Sequence, residues 1–169
     1  MVGFSGSRHL TGAHFATVKQ VAAAVAAAGH PVAVGCAAGA DLAVRSAVPG
    51  AQVFAVAAQA SRQAFAVRSV QLVQAVAASS SPALVAFPVQ PCPSGLVPSK
   101  QSGKCFSGRG SGTWASVALA VGLGVPVFVF WSGMGVPVLP SWGAWVPVSS
   151  GAFAGAYQLQ AGHQQSLFQ

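Results

Sequence analysis

Apolar residues fall along this chain in two kinds of run. The first kind is short and unbroken: Val2-Gly3-Phe4, Pro31-Val32-Ala33-Val34, Gln52-Val53-Phe54-Ala55-Val56, Ala83-Leu84-Val85-Ala86-Phe87, and Val125 to Phe130. A strand with one wet face alternates apolar and polar residues. A strand covered on both faces reads as a continuous apolar run. The second kind has helical spacing. Phe15, Val18, Ala22 and Val25 mark a helix over residues 13–28, which Gly29 stops and Pro31 bars from continuing. A short helix to about Val48 follows the second strand, and a longer one covers residues 61–78. Trp114, Val117, Ala118 and Val121 stand at i, i+3, i+4 and i+7 of a further helix. Strand and helix alternate. That order predicts an α/β fold, a parallel sheet of about five strands with helices on both faces. Ligands of such sheets bind beyond the carboxyl ends of the strands.

The remaining segments are irregular. Residues 88–108 are rich in Pro, Ser, Gly and Lys and read as a mobile loop. Residues 131–150 hold Trp131, Trp142, Trp145 and three prolines, with an edge strand expected at Trp145 to Val148. From residue 151 the chain is polar and glutamine-rich. The expected division is a domain over residues 1–150 and a tail over 151–169, with no internal repeat. Val117 to Leu139 carries no charge, but Gly122, Gly124, Pro126, Gly133, Gly135 and Pro137 interrupt it. It reads as a helix end, a turn and a buried strand rather than a membrane span. No basic segment followed by an apolar one opens the chain, and a cytoplasmic protein is expected.

Composition adds a direction to this scaffold. Charged residues make up only 5%, with Lys+Arg 8 against Asp+Glu 1 and a formal net charge of +7. Such a chain favours anionic partners, a nucleic acid or a nucleotide. So few charges also favour self-association, and a homo-oligomer is expected.

Three small-residue turns follow predicted strands: Ser5-Gly6-Ser7-Arg8, Gly35 to Asp41, and Gly108-Arg109-Gly110-Ser111-Gly112-Thr113. The third feeds the helix of Trp114. Its free backbone N–H groups and the helix dipole suit a phosphate. Arg8, Arg62, Lys100, Lys104 and Arg109 follow strands and are expected on the carboxyl-end rim. Lys19, Arg45 and Arg68 are expected to ride on helices. Solubilising charges also collect in loops for no functional reason. Asp41, the one acidic side chain, reads either as a ribose or base contact or as the N-cap of the short second helix. Cys36, Cys92 and Cys105 are odd in number and form no disulfide framework. With His9 or His14 their spacing matches no tight zinc-ligand pair, so neither a metal nor a cofactor is expected. The tryptophans could stack on bases, but packing suits most of them better.

Gly6-Ser7-Arg8 after the first strand, Gly35 to Asp41 after the second, and Ser111-Gly112-Thr113 before a helix ending in Gly124-Val125-Pro126-Val127 resemble the SLOG superfamily. This Rossmann-like group contains the DprA/Smf DNA-processing proteins and the LOG nucleotide phosphoribohydrolases. The resemblance covers roughly residues 2–130. It implies that Ser7, Arg8, Gly39, Asp41 and Ser111 to Thr113 line a phosphate site; Arg62, Arg109 and Gly110 join them on the rim. LOG enzymes carry a glutamate where this chain has Ser116. Cleaving an N-glycosidic bond usually draws on two carboxylates, and one chain with Asp41 alone cannot supply them. No catalytic residue is expected.

Gln164-Gln165-Ser166-Leu167-Phe168 resembles the bacterial sliding-clamp-binding pentapeptide. It implies Gln164, Ser166, Leu167 and Phe168 as partner contacts; docking on its own protein is the other reading. The chain therefore reads as a non-catalytic DprA-like protein of DNA metabolism. The alternatives are a small-nucleotide sensor or degenerate phosphoribohydrolase, and a self-assembling structural protein with an idle pocket.

Overall fold

The computed structural model of the chain describes residues 1–10, 12–57, 59–108 and 110–160. The elements in order are β1 (Val2–Gly6), α1 (Gly12–Ala27), β2 (Val32–Gly35), α2 (Ala40–Ala47), β3 (Gln52–Phe54), α3 (Arg62–Ala77), β4 (Ala83–Phe87), α4 (Ser102–Cys105), α5 (Gly112–Gly122), β5 (Val127–Val129), β6 (Ala144–Pro147) and β7 (Tyr157–Gln160). The sheet order is β3-β2-β1-β4-β5-β7-β6. Strands β1 to β5 run parallel, and β7 lies antiparallel between β5 and β6. This is the expected Rossmann-like α/β architecture, with seven strands rather than about five.

The unbroken apolar runs become strands because helices cover both faces. Val2 and Phe4 point to one face and pack with Val18, Val21 and Val25 of α1 and Val44 of α2. Ala33, Leu84 and Ala86 point to the other, against Leu72, Val73 and Val76 of α3 and Trp114, Val117 and Leu119 of α5. Every residue of β4 is buried. Gly3 lets α3 lie close over β1, since a Cβ there would stand 2.7 Å from a Val76 methyl. Helix α1 ends as its sequence says. Gly29 takes φ +81, its N–H reaches Ala26 O at 2.9 Å, and His30 N–H reaches Val25 O at 3.2 Å. That pair closes a Schellman motif. Ser61 caps α3, its hydroxyl accepting Ala64 N–H at 3.2 Å.

The C-terminal third departs from expectation. The sheet continues past residue 150, because β7 inserts between β5 and β6, and Phe153 stacks on Phe128 at 4.1 Å. β6 is the edge strand expected at Trp145 to Val148, whereas β7, four part-exposed residues, carries too little apolar pattern to read from sequence. Residues 88–108, expected as a mobile loop, contain α4 and are fastened to the body. Trp114 Nε1 donates to Gln90 O at 2.7 Å, Trp142 Nε1 to Leu96 O at 3.0 Å, and Ser99 N–H to Ala118 O at 3.3 Å. Among the described residues no helix is long and apolar enough to cross a membrane.

From β1 the chain crosses to β2 on one side of the sheet, and it later returns to β4 on the other. The reversal leaves its crevice at the carboxyl ends of β1 and β4, the usual ligand position in this architecture.

Candidate functional site

Two of the three small-residue turns brace each other at that end of the sheet. Ser7 N–H donates to Phe87 O at 3.2 Å, tying the ends of β1 and β4. Ser7 O accepts Ala40 N–H at 3.0 Å, and Ser7 Oγ accepts His9 N–H at 3.1 Å. Gly39, at φ +66, lies flat against the backbone of Ser7 and Arg8, and a Cβ there would overlap both. Glycine is required twice over, for space and for the left-handed φ. One first-turn N–H of α2 is thus spent on Ser7 O, so this turn serves to hold the first one in place.

Asp41 sits in the first turn of α2, with Gly39 as the N-cap and no side-chain cap bond. The capping role considered from sequence is therefore corrected. The carboxylate turns inward instead. It is 4% exposed, accepts Ala37 N–H at 3.1 Å, and pairs with Arg68 Nη1 at 3.2 Å. Burial pushes the Asp41 carboxyl above its usual value, and the charges of Arg68 and Arg45 and the Ala37 N–H oppose the rise only in part. Arg45 spans the same turn, donating to Gly35 O at 2.7 Å and Ala37 O at 3.1 Å.

Arg68 reaches this point from α3 by crossing the end of β2. It has room because residue 35 is glycine: a Cβ on Gly35 would fall on the guanidinium. Arg68 is 8% exposed, and its Nε has no partner among the described residues. Phe65, one turn earlier on α3, has the Arg68 guanidinium 5.6 Å from its ring centroid and the exposed Arg8 guanidinium at 4.5 Å. Both are cation–π distances. Arg45 and Arg68 therefore act on one carboxylate at the end of β2, and Arg8 shares the Phe65 ring with Arg68, leaving net positive charge there.

The third turn opens α5. Ser111 is the N-cap, with extended backbone and no side-chain cap bond, and Ala115 N–H is the first to reach back, to Ser111 O at 3.0 Å. Gly112, Thr113 and Trp114 lie in the turn whose N–H groups have no acceptor within the helix. Gly112 is exposed and Thr113 buried. Gly110 packs on the Pro93 ring so closely that a Cβ would overlap it. Trp114 is fully buried, edge-on to Trp142 at 6.0 Å. Ser116 is buried, with its hydroxyl donated to Gly112 O at 2.9 Å.

The other predicted residues divide. Arg62 is exposed at the first position of α3, on the rim as expected. Lys100 is not on the rim. Its neighbour Ser99 lies against Ala118 and Gly122, near the far end of α5, because the loop after β4 runs down that helix. Lys104 lies on α4, which packs on α5 beside the outer side of α3. Arg109 and the tail residues Gln164, Ser166, Leu167 and Phe168 lie outside the described residues. Among the described residues no three His, Cys, Asp or Glu side chains come together as metal ligands.

Sequence reasoning missed Arg45, Phe65 and Arg68. The Asp41–Arg45 spacing of i, i+4 was a usable signal. The approach of Arg68 to Asp41, 27 residues away, had none. Comparison with family models, curated proteins and solved structures gives no match.

Proposed function

We propose that the chain is a SLOG-type, DprA-like protein of the cytoplasm that binds the phosphates of nucleic acid or nucleotide at the carboxyl-end rim, without catalysis. The observation that carries this reading is the grouping of basic side chains beside the Ser7–Arg8 loop: Arg45 and Arg68 at the single carboxylate Asp41 at the end of β2, and Arg8 sharing the Phe65 ring with Arg68. Arg45 and Arg68 make the turn rigid and positive. Arg8 and Arg62 are exposed and able to touch a ligand. The first turn of α5 adds backbone donors. Arg109 adds a charge to the turn before α5 on the sequence alone.

A binding role suits the chemistry available. Hydrolysis of an N-glycosidic bond needs a carboxylate that the ligand can reach. The one side-chain carboxylate here is buried against Arg68, and Ser116 offers a hydroxyl already donated to the helix backbone.

The test is a binding titration of single-stranded DNA and of a mononucleotide over a range of salt. A nucleic-acid ligand gives a steep salt slope that Arg8→Ala reduces by about one charge, and a mononucleotide gives a shallow one. A slope and affinity unchanged in Arg8→Ala would remove Arg8 from the site. Clamp binding by Gln164 to Phe168 is a separate reading. Deleting residues 161–169 should abolish capture by a sliding clamp and leave the salt slope intact.

A further inference from the structure

Phe65 has no place in the apolar core. It alone among the described phenylalanines packs with neither of the two clusters that the sheet and its helices form. It stands half-buried in the first turn of α3, and its backbone is fixed there. Its N–H donates to Ser61 O at 3.2 Å, and its carbonyl accepts the Ser69 hydroxyl at 2.9 Å. The ring is set against two guanidinium groups instead of apolar side chains, Arg8 at 4.5 Å and Arg68 at 5.6 Å from its centroid. The two arginines differ in what else holds them. Arg68 is buried and paired with Asp41 at 3.2 Å. Arg8 is exposed, and among the described residues no hydrogen bond or ion pair holds its side chain. Its backbone is fastened, since Gly39 lies flat against it and Ser7 O accepts Ala40 N–H at 3.0 Å. The Phe65 ring is thus the contact that gives the Arg8 guanidinium a place.

We propose that Phe65 is a positioning residue, which holds the Arg8 guanidinium on the rim ready for a ligand phosphate; this rests on the reading that the rim binds phosphates. An arginine loose in water samples many rotamers, and a ligand that fixes it must offset the lost freedom. Resting on an aromatic face removes part of that cost before the ligand arrives, and leaves the guanidinium charge unneutralised. A carboxylate partner would order Arg8 equally well but would cancel the charge that the phosphate needs. Asp41 has a part in this arrangement. It offsets the charge of Arg68, so the second guanidinium at the ring repels Arg8 less. The spacing of Phe65 and Arg68, three residues apart on α3, puts ring and buried cation on the same side of the helix. One helix therefore braces the turn after β2 through Arg68 and the loop after β1 through Phe65.

Two measurements on the full chain test it, one without ligand. Nitrogen-15 relaxation at the arginine Nε–H groups should find Arg8 ordered in the wild type and in Phe65→Trp, and as mobile as the exposed Arg62 in Phe65→Leu. A wild type in which Arg8 moves like Arg62 would overturn the proposal. The second is titration with a single-stranded oligonucleotide and with a mononucleotide over a range of salt. Phe65→Leu should weaken binding about two- to fivefold, the worth of an exposed cation–π contact, and Phe65→Trp should keep wild-type affinity. The salt slope should stay as in the wild type, because the charge that meets the phosphate is still present. In an Arg8→Ala background Phe65→Leu should change nothing further. An equal loss in that background, or binding unchanged or tightened by Phe65→Leu alone, would overturn the positioning role and leave the binding reading standing. A wild type that binds neither probe would overturn the binding reading and the role of the ring with it.

Discussion

Adding one methyl group at Gly35 tests the arrangement beneath the rim. Gly35 ends β2, and Arg68 crosses directly over it to reach Asp41 at 3.2 Å. A Cβ at residue 35 falls on the guanidinium and close to the Asp41 carboxylate. Both neighbours are buried, so neither can yield without parting from the other. Backbone conformation is not the obstacle, since Gly35 does not adopt a positive φ. Gly35→Ala therefore separates a buried ion pair while leaving both partners in the chain. Breaking such a pair typically costs about 3–5 kcal/mol, because a buried charge loses its partner. For a chain of this length about 1 kcal/mol moves Tm by roughly 2–4 °C, so the expected loss is roughly 6–20 °C. Thermal and urea denaturation measure it. Arg68→Met keeps most of the stem and removes the guanidinium; in that background Gly35→Ala should cost less than about 1 kcal/mol, the rest being coupling energy. A Gly35→Ala protein within about 1 kcal/mol of wild type, or an equal cost with and without Arg68, would refute the reasoning.

Other outcomes follow from the same structure. Asp41 has its carboxyl pushed up by burial, so the folded state holds its proton more tightly than the unfolded chain does. Its contribution to stability is complete below the ordinary value of 3.8 and is lost as pH rises through the elevated one. The stability of wild type relative to Asp41→Asn should therefore increase from pH 7 to pH 4, and a flat difference in urea midpoints would contradict this. Trp114→Ala should cost about 3–5 kcal/mol, since the ring is fully buried and its N–H satisfies Gln90 O; the urea midpoint reports the loss. The Cys92 thiol is pushed up to about 11 by burial. Its alkylation, followed by mass spectrometry, should stay slow at pH 8 and rise about tenfold per pH unit up to that value.

Much of the fold was legible in the chain. The runs at Val32–Val34 and Ala83–Phe87 could be read as buried strands because a strand covered on both faces has no polar positions to confuse its pattern. Gly29 and Pro31 bounded α1 through local conformational rules that tertiary contacts did not alter. The alternation of strands and helices carried the topology of the parallel sheet, and with it the rim where Ser7, Arg8 and Arg62 stand. The edge strand β6 was legible near Trp145, but β7 was not. Its short, part-exposed segment acquires order from pairing with β5 and β6 rather than from its own pattern.

Charge shows the division most clearly. Composition alone established the excess of basic groups and the solitary acid. Where those charges meet was decided in three dimensions. Lys100 follows a strand in sequence yet sits near the far end of α5, because its loop doubles back along that helix. Arg68 stands in mid-helix yet delivers its guanidinium to the end of β2, because its long stem crosses the space left by Gly35. Asp41 stands at a helix start, where a cap or an open ligand contact could be read, yet it turns inward to Arg68. Local periodicity is a property of neighbours in sequence and can be read from them. A buried ion pair joins residues that only the packing of α2 and α3 across the sheet brings together, and no spacing along the chain records it.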